Sequence, residues 1–178
     1  MEFTFCRTVF IENPVDLVLD WCRSREARGY WPGTVEVRSM GNEIVYEVLM
    51  KAPGVPPARL SVKEYPGPIE SWVNGGMFVS EQTWRWPSGE ESRAWSTYHC
   101  EGRAEGTELE LTMRVILPEA VEGQALDTER LSRAINHAAA HYLDGIAGNV
   151  HTPRRPGDGF SFRISGRGKP ETEREPVT

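Results

Sequence analysis

The residues with the most chemistry to offer lie between positions 78 and 99, in two long extended runs joined at Ser88-Gly89. If Ser88-Gly89 is a two-residue turn, Trp86 stands opposite Glu91, Trp84 opposite Arg93 and Gln82 opposite Trp95. Ser80 then faces Thr97, and Phe78 faces His99. All ten side chains share one face of the sheet. A face carrying Phe78, Trp84, Trp86 and Trp95 beside Gln82, Thr97 and His99 suits a pocket wall, with apolar area for binding and a few polar groups for orientation. The same tryptophans could instead fill a wide core or pair on the outer face. A one-residue slip would turn Ser96, Tyr98 and Cys100 inward in their place.

His99 is the one candidate for general acid or base catalysis, because an imidazole titrates near pH ~6.5. No Ser-His-Asp or Cys-His set accompanies it, so no nucleophile is nominated, and a hydrogen-bonded structural histidine is the commoner role. His137 and His141 are four apart on a helix, a spacing that can hold a divalent ion. They fall well away from that helix's apolar stripe, no HEXXH glutamate separates them and no third ligand is near, so no metal is expected. Glu108 and Glu110 alternate with leucines and read as solvated charges. The glycines make no nucleotide-binding pattern, and no cofactor is expected. Cys6, Cys22 and Cys100 are odd in number and widely spaced, as reduced, buried thiols would be.

The chain that must position these groups has 178 residues, 39% hydrophobic and 26% charged, with six Trp and a net charge of −6. That apolar content supports a core and excludes a wholly disordered chain. The acidic balance argues against nucleic acid as a partner. No run approaches the ~18 apolar residues of a membrane span, and the first ten residues lack a signal pattern, so a cytoplasmic protein with no integral membrane association is expected. Composition changes near Val150. Residues 151–178 hold four Pro, four Gly and six Arg/Lys against four Asp/Glu, a charge of +2 that leaves −8 on residues 1–150. A domain over 1–150 and a flexible tail over 151–178 are therefore expected. Within the tail only Phe160, Phe162 and Ile164 alternate as a strand would.

Periodicity orders the elements. Residues 2–11 alternate as a strand, and Asn13-Pro14 makes a helix start, with Asn as cap and Pro at the first helical position. Val15, Val18, Leu19 and Cys22 mark a short helix whose continuation runs through Arg28 to Gly29. Strands follow at Val35–Val37, Ile44–Met50, Leu60–Val62, 77–86, 91–102 and 107–117, with Gly41-Asn42 as a tight turn and a short extended piece near Trp72. The last element is a helix over about 128–147, with Leu131, Ile135, Ala138, Ala139, Tyr142 and Ile146 in one stripe. One strand, two short helices, six antiparallel strands and one long helix make an α+β domain.

The segments FIENPVDLVLDW, YWPGTVEVRSMGNEIVYEV, TELELTMRVILP and ERLSRAINHAAAHYLDGI, taken in this order, resemble the START-like, helix-grip superfamily of polyketide cyclases and lipid-transfer proteins. The resemblance covers about residues 1–150 and rests on element order more than on motifs. It implies a curved seven-stranded antiparallel sheet wrapped around the C-terminal helix, with a cavity between them for an apolar or aromatic ligand. On that footing Ile135, Ala138, Ala139 and Tyr142 would form the helix wall. Trp84, Trp95, Gln82, Thr97, His99 and Phe78 would form the sheet wall, flanked by Tyr46 and Met113. Carriage of a small hydrophobic ligand is the leading expectation. A cyclase or aromatase acting through His99, Gln82 and Tyr142 is the second, and a protein-interaction module using an exposed face the third.

Overall fold

The computed structural model describes residues 1–51, 57–121 and 123–150. The tail and the alternating Phe160, Phe162 and Ile164 lie outside the described residues. In chain order the elements are β1 (Glu2–Ile11), α1 (Val15–Arg23), α2 (Arg25–Arg28), β2 (Thr34–Met40), β3 (Glu43–Met50), β4 (Ala58–Pro66) and β5 (Glu70–Trp72). They continue with β6 (Gly75–Arg85), β7 (Glu91–Arg103), β8 (Gly106–Ile116), β9 (Ala120–Val121), β10 (Gln124–Ala125) and α3 (Thr128–Ala147). Seven long strands form one antiparallel sheet in the order β1-β8-β7-β6-β4-β3-β2, with β5 paired to β6 and a small separate β9–β10 ladder. This is an α+β, helix-grip arrangement with its long helix last.

The first and second strands sit at opposite edges of the sheet, so α1 and α2 must carry the chain from one edge to the other. They are two helices because Ser24 separates them: its hydroxyl donates to the Trp21 carbonyl (2.6 Å) and accepts from the Ala27 amide (3.3 Å). One side chain thus closes α1 and caps α2. The start of α1 differs from expectation. Pro14 takes the cap position with no side-chain cap, and Asn13 instead donates to the Val150 carbonyl (2.9 Å). That bond ties the end of α3 to the end of β1. Among the described residues no helix is long and apolar enough to cross a membrane.

The β6–β7 hairpin is where the structure departs most from a two-residue turn. The Trp86 amide donates to the Glu90 carbonyl (2.9 Å) and the Gly89 amide to the Trp86 carbonyl (3.0 Å), enclosing three residues, Pro87, Ser88 and Gly89. Gly89 has φ of +99°. A glycine with positive φ at the end of a three-residue loop is the usual bulged alternative to the two-residue turn. The extra residue shifts the register by one, so that Trp84 pairs with Ser92, Gln82 with Ala94, Ser80 with Ser96 and Phe78 with Tyr98. Because side chains alternate, every expected inward residue of β7 moves to the other face. Gly89→Ala is expected to destabilise the protein by ~1 kcal/mol, by strain at positive φ, read from urea unfolding. An unchanged midpoint would mean that the loop can re-form another way.

The buried side chains form two apolar groups. One gathers Ile44, Tyr46, Val48, Trp84, Trp86, Met113, Val115, Leu131 and Ile135. The other gathers Ile11, Val18, Leu19, Cys22, Phe78, Tyr98, Leu109, Tyr142, Leu143 and Ile146 beneath α1 and the C-terminal half of α3. Of the sheet strands, β1 is the one that α3 approaches most closely.

Candidate functional site

Between the two apolar groups lies a layer of buried polar side chains. In β4, the even positions Leu60, Val62 and Glu64 share the inward phase, which places a carboxylate in the core with no exposed surface. A buried charge needs a partner of opposite sign. Arg28, at the end of α2 and only 2% exposed, supplies it through two parallel bonds, Nε to Oε2 at 2.8 Å and Nη2 to Oε1 at 2.5 Å. This two-pronged geometry suits a planar guanidinium on a carboxylate.

The remaining capacity of the pair is taken up by side chains from three further elements and by a backbone carbonyl of α1. The Tyr46 hydroxyl of β3 donates to Glu64 Oε2 at 3.1 Å, and the Ser80 hydroxyl of β6 donates to Glu64 Oε1. Arg28 Nη1 donates to the Cys22 carbonyl and to the Tyr142 hydroxyl of α3 (3.3 Å). Tyr142 in turn shares a 3.0 Å hydrogen bond with the Tyr98 hydroxyl of β7. The Arg28 guanidinium lies over the Tyr98 ring at 5.8 Å, while the other face of the layer is closed by Phe78 stacked on Tyr98 at 4.6 Å. Trp31 leans on Tyr142 with ring centroids 5.5 Å apart. A second, smaller chain runs beside it on the same inner face. Trp84 Nε1 donates to Gln82 Oε1 (2.9 Å), and Gln82 Nε2 donates to the Ser96 hydroxyl (3.3 Å).

Burial sets the protonation of these groups. It is the largest influence on Arg28 and works against the charge, but the Glu64 carboxylate together with Tyr142 and Tyr98 outweighs it and holds the guanidinium protonated well above its ordinary value. Burial, then the Glu64 charge, pushes the Tyr46 phenol far up. Burial, then Tyr142, does the same for Tyr98, and burial raises Tyr142 to about 12 against the opposing pull of Arg28. The site therefore presents three neutral phenols beside a buried guanidinium–carboxylate pair. Such a set can orient and hydrogen-bond an oxygen-bearing guest, and its phenols are poor bases.

Around this layer solvent access differs from residue to residue. Phe78, Tyr98, Leu109 and Leu143 keep 0–2% of their surface, whereas Tyr46, Val48, Trp84, Ile135 and Gln82 keep 6–8%. The second set is a cluster within the group of Trp84, whose Leu60, Val62, Met113, Val115 and Leu131 keep only 1–2%, and partly buried Trp31, Val37 and Met50 pack against that group. Two clefts also open on the surface, of about 650 and 340 Å³. The first is lined by charged and polar groups such as Asp20, Arg23, Glu26 and Asn42, and both reach Pro66 and Pro68.

Of the residues that the hairpin reading placed in a pocket wall, Phe78, Gln82 and Trp84 do face inward, as do Tyr46, Met113, Ile135, Ala139 and Tyr142; Ala138 is half-buried. Trp95, Thr97 and His99 face outward, a correction that follows from the three-residue loop. Trp95 carries the Arg114 guanidinium over its ring at 5.5 Å. His99 stacks on Trp72 at 5.4 Å, with Glu101 at 3.5 Å. His137 and His141 are exposed on α3, and among the described residues no three His, Cys, Asp or Glu side chains cluster as metal ligands. Cys22 and Cys100 are buried, which raises both thiols, Cys100 to about 12, while Cys6 is exposed rather than buried. Arg28 and Glu64 were missed, Ser80 was placed on the inward face without a role, and Tyr98 and Ser96 face inward as the one-residue slip allowed. A glutamate in the inward phase of β4 was the available signal, since it obliges a buried cation to exist somewhere.

No family model matches the chain, and no curated protein matches it. Solved structures do. A conserved protein from Geobacillus kaustophilus superposes with a TM-score of 0.63 at 10% identity, over 84% of this chain and 95% of that one. The ZhuI aromatase/cyclase from Streptomyces gives 0.59 at 16% identity, over 84% and 94%. The di-domain aromatase/cyclase BexL gives 0.53 at 16% identity, with this chain covering 51% of it. At these identities the likeness establishes a shared fold, that of structures which include polyketide aromatase/cyclases.

Proposed function

We propose, from a fold shared with polyketide aromatase/cyclases, that this chain binds a small, flat, mainly apolar molecule bearing carbonyl or hydroxyl oxygens. The observation that carries the proposal is the cluster of Tyr46, Val48, Trp84, Gln82 and Ile135, mixed apolar and polar side chains that keep 6–8% of their surface beside the Arg28–Glu64 pair. The guest would enter at this cluster, against Trp84, Val48 and Ile135, with Gln82 and Tyr46 offering hydrogen bonds. Apolar walls with a few convergent polar groups are the usual makeup of such sites.

A hydroxylated anthraquinone and a long-chain fatty acid are suitable probes. The anthraquinone is expected to quench tryptophan fluorescence saturably and to stabilise the fold, by about 2.7 kcal/mol at a hundredfold excess over the dissociation constant. Ile135→Trp, which puts a larger side chain into that cluster, is expected to abolish this response while the chain stays folded. Quenching unaltered in Ile135→Trp would place the guest elsewhere, and a response to neither probe would end the proposal. Preference for the fatty acid would move the reading from an aromatic guest to lipid carriage.

An enzymatic use of the same site is favoured by one observation, the three neutral phenols beside a permanent cation. They would polarise a bound carbonyl rather than abstract a proton from it. His99 has no part in that chemistry, because its ring lies on the outer face. His99→Ala is expected to leave both binding and any turnover unchanged.

A further inference from the structure

The strand β2 ends the sheet, and among the described residues nothing pairs with its outer side. An open edge is a template for another strand. Its composition says which one. Along residues 36–40 the ladder with β3 is regular, the irregularity being confined to the Thr34/Glu36 step. Met40 and Glu43 flank the two-residue turn Gly41-Asn42, with Gly41 at φ +63°. The residues flanking such a turn exchange both hydrogen bonds, and the pattern alternates from there. Met40, Arg38 and Glu36 therefore spend their backbone groups on β3, and Ser39 and Val37 aim theirs outward.

We propose that β2 pairs antiparallel with β2 of a second copy of this chain, about a twofold axis at Val37. In that register Val37 exchanges hydrogen bonds with its own counterpart. Glu36 then stands directly opposite Arg38 of the second copy, and Arg38 opposite its Glu36, both at close, non-hydrogen-bonded positions where side chains approach most nearly. The neighbouring twofold registers are centred on residue 36 or residue 38 and set Glu against Glu or Arg against Arg. The strand is thus complementary to itself in one register and repulsive in the two beside it. In one copy Glu36 and Arg38 already bond to each other at 2.8 and 2.9 Å on the exposed face, so both side chains reach the position that the exchange requires. Exposed Val35 and Met40, 50% and 62% accessible, come to opposite ends of the same ladder and gain cover there. A twofold contact closes on itself, so pairing at this edge stops at two copies. The opposite edge strand, β1, is the one backed by α3.

The test is the mass of the full chain in solution, by light scattering and native mass spectrometry across a concentration series. The unaltered chain is expected to be a dimer. Glu36→Lys and Arg38→Glu each make both cross-strand pairs repulsive, and each is expected to weaken the dimer ~tenfold or more. Mixing the two variants restores opposite charges at both positions, so a heterodimer is expected to recover the affinity that each homodimer lost. A chain monomeric at all concentrations overturns the proposal. So does a dimer indifferent to both substitutions, or a mixture that fails to recover, since either places the contact elsewhere. None of these results depends on whether a ligand binds inside.

Discussion

Glu64→Ala is expected to lower the unfolding free energy by about 3–5 kcal/mol, the largest effect of any single substitution proposed for this protein. The reason is less the loss of an ion pair than what remains. Arg28 is 2% exposed and cannot turn to solvent without leaving the end of α2, so its charge would stay in the core without a counter-ion. Tyr46 and Ser80 would lose their acceptor at the same time. Glu64→Gln keeps the shape and some of the hydrogen bonds but still strands the cation, and should cost less with the same sign. Replacing both partners, Arg28→Met with Glu64→Leu, should recover much of the loss, because an apolar pair avoids two desolvation penalties. Guanidinium unfolding of the three variants checks this. A Glu64→Ala protein within about 1 kcal/mol of the parent, the value of an exposed pair, would show that Arg28 is reached by water.

The second large effect is expected at alkaline pH. The folded state holds the Tyr142 proton up to about 12, and those of Tyr46 and Tyr98 still more firmly, against an ordinary tyrosine value of 10.0. A raised folded value stabilises the fold fully below the unfolded value, and that stabilisation is lost as pH rises through the folded one. Stability contributed by these phenols should therefore be flat up to pH ~9 and then fall, because the unfolded chain releases protons that the folded chain retains. Each buried tyrosine adds a slope of about 1.4 kcal/mol per pH unit, and Tyr142 alone accounts for roughly 3 kcal/mol across its shifted range. Denaturant unfolding from about pH 8 to about pH 11 measures the slope. In Tyr142→Phe it should be shallower by one tyrosine's share. An identical slope in that variant would mean that Tyr142 titrates as an exposed phenol does.

Much of the architecture was legible because it rests on local periodicity. Strict alternation in β8 placed Leu109, Leu111, Met113 and Val115 inward, where they are found. The stripe on α3 foretold Leu131, Ile135, Ala139, Tyr142 and Ile146, and missed only Leu143, which the second apolar group covers from beyond the stripe. The hairpin failed for an equally local reason. Ser88-Gly89 serves a two-residue turn and a three-residue loop alike, and choosing between them decides the face of thirteen residues in β7.

By itself the sequence determined which segments become strands and helices, their order, and the face that most of them bury, since these follow from apolar spacing and turn residues within each segment. The tertiary structure alone decided that Glu64 meets Arg28, thirty-six positions earlier, and that Tyr46, Ser80, Tyr98 and Tyr142 converge on them. No periodicity encodes that meeting. It arises because a buried carboxylate must be neutralised by whatever cation the fold can deliver, and only the path of α1 and α2 across the sheet delivers one.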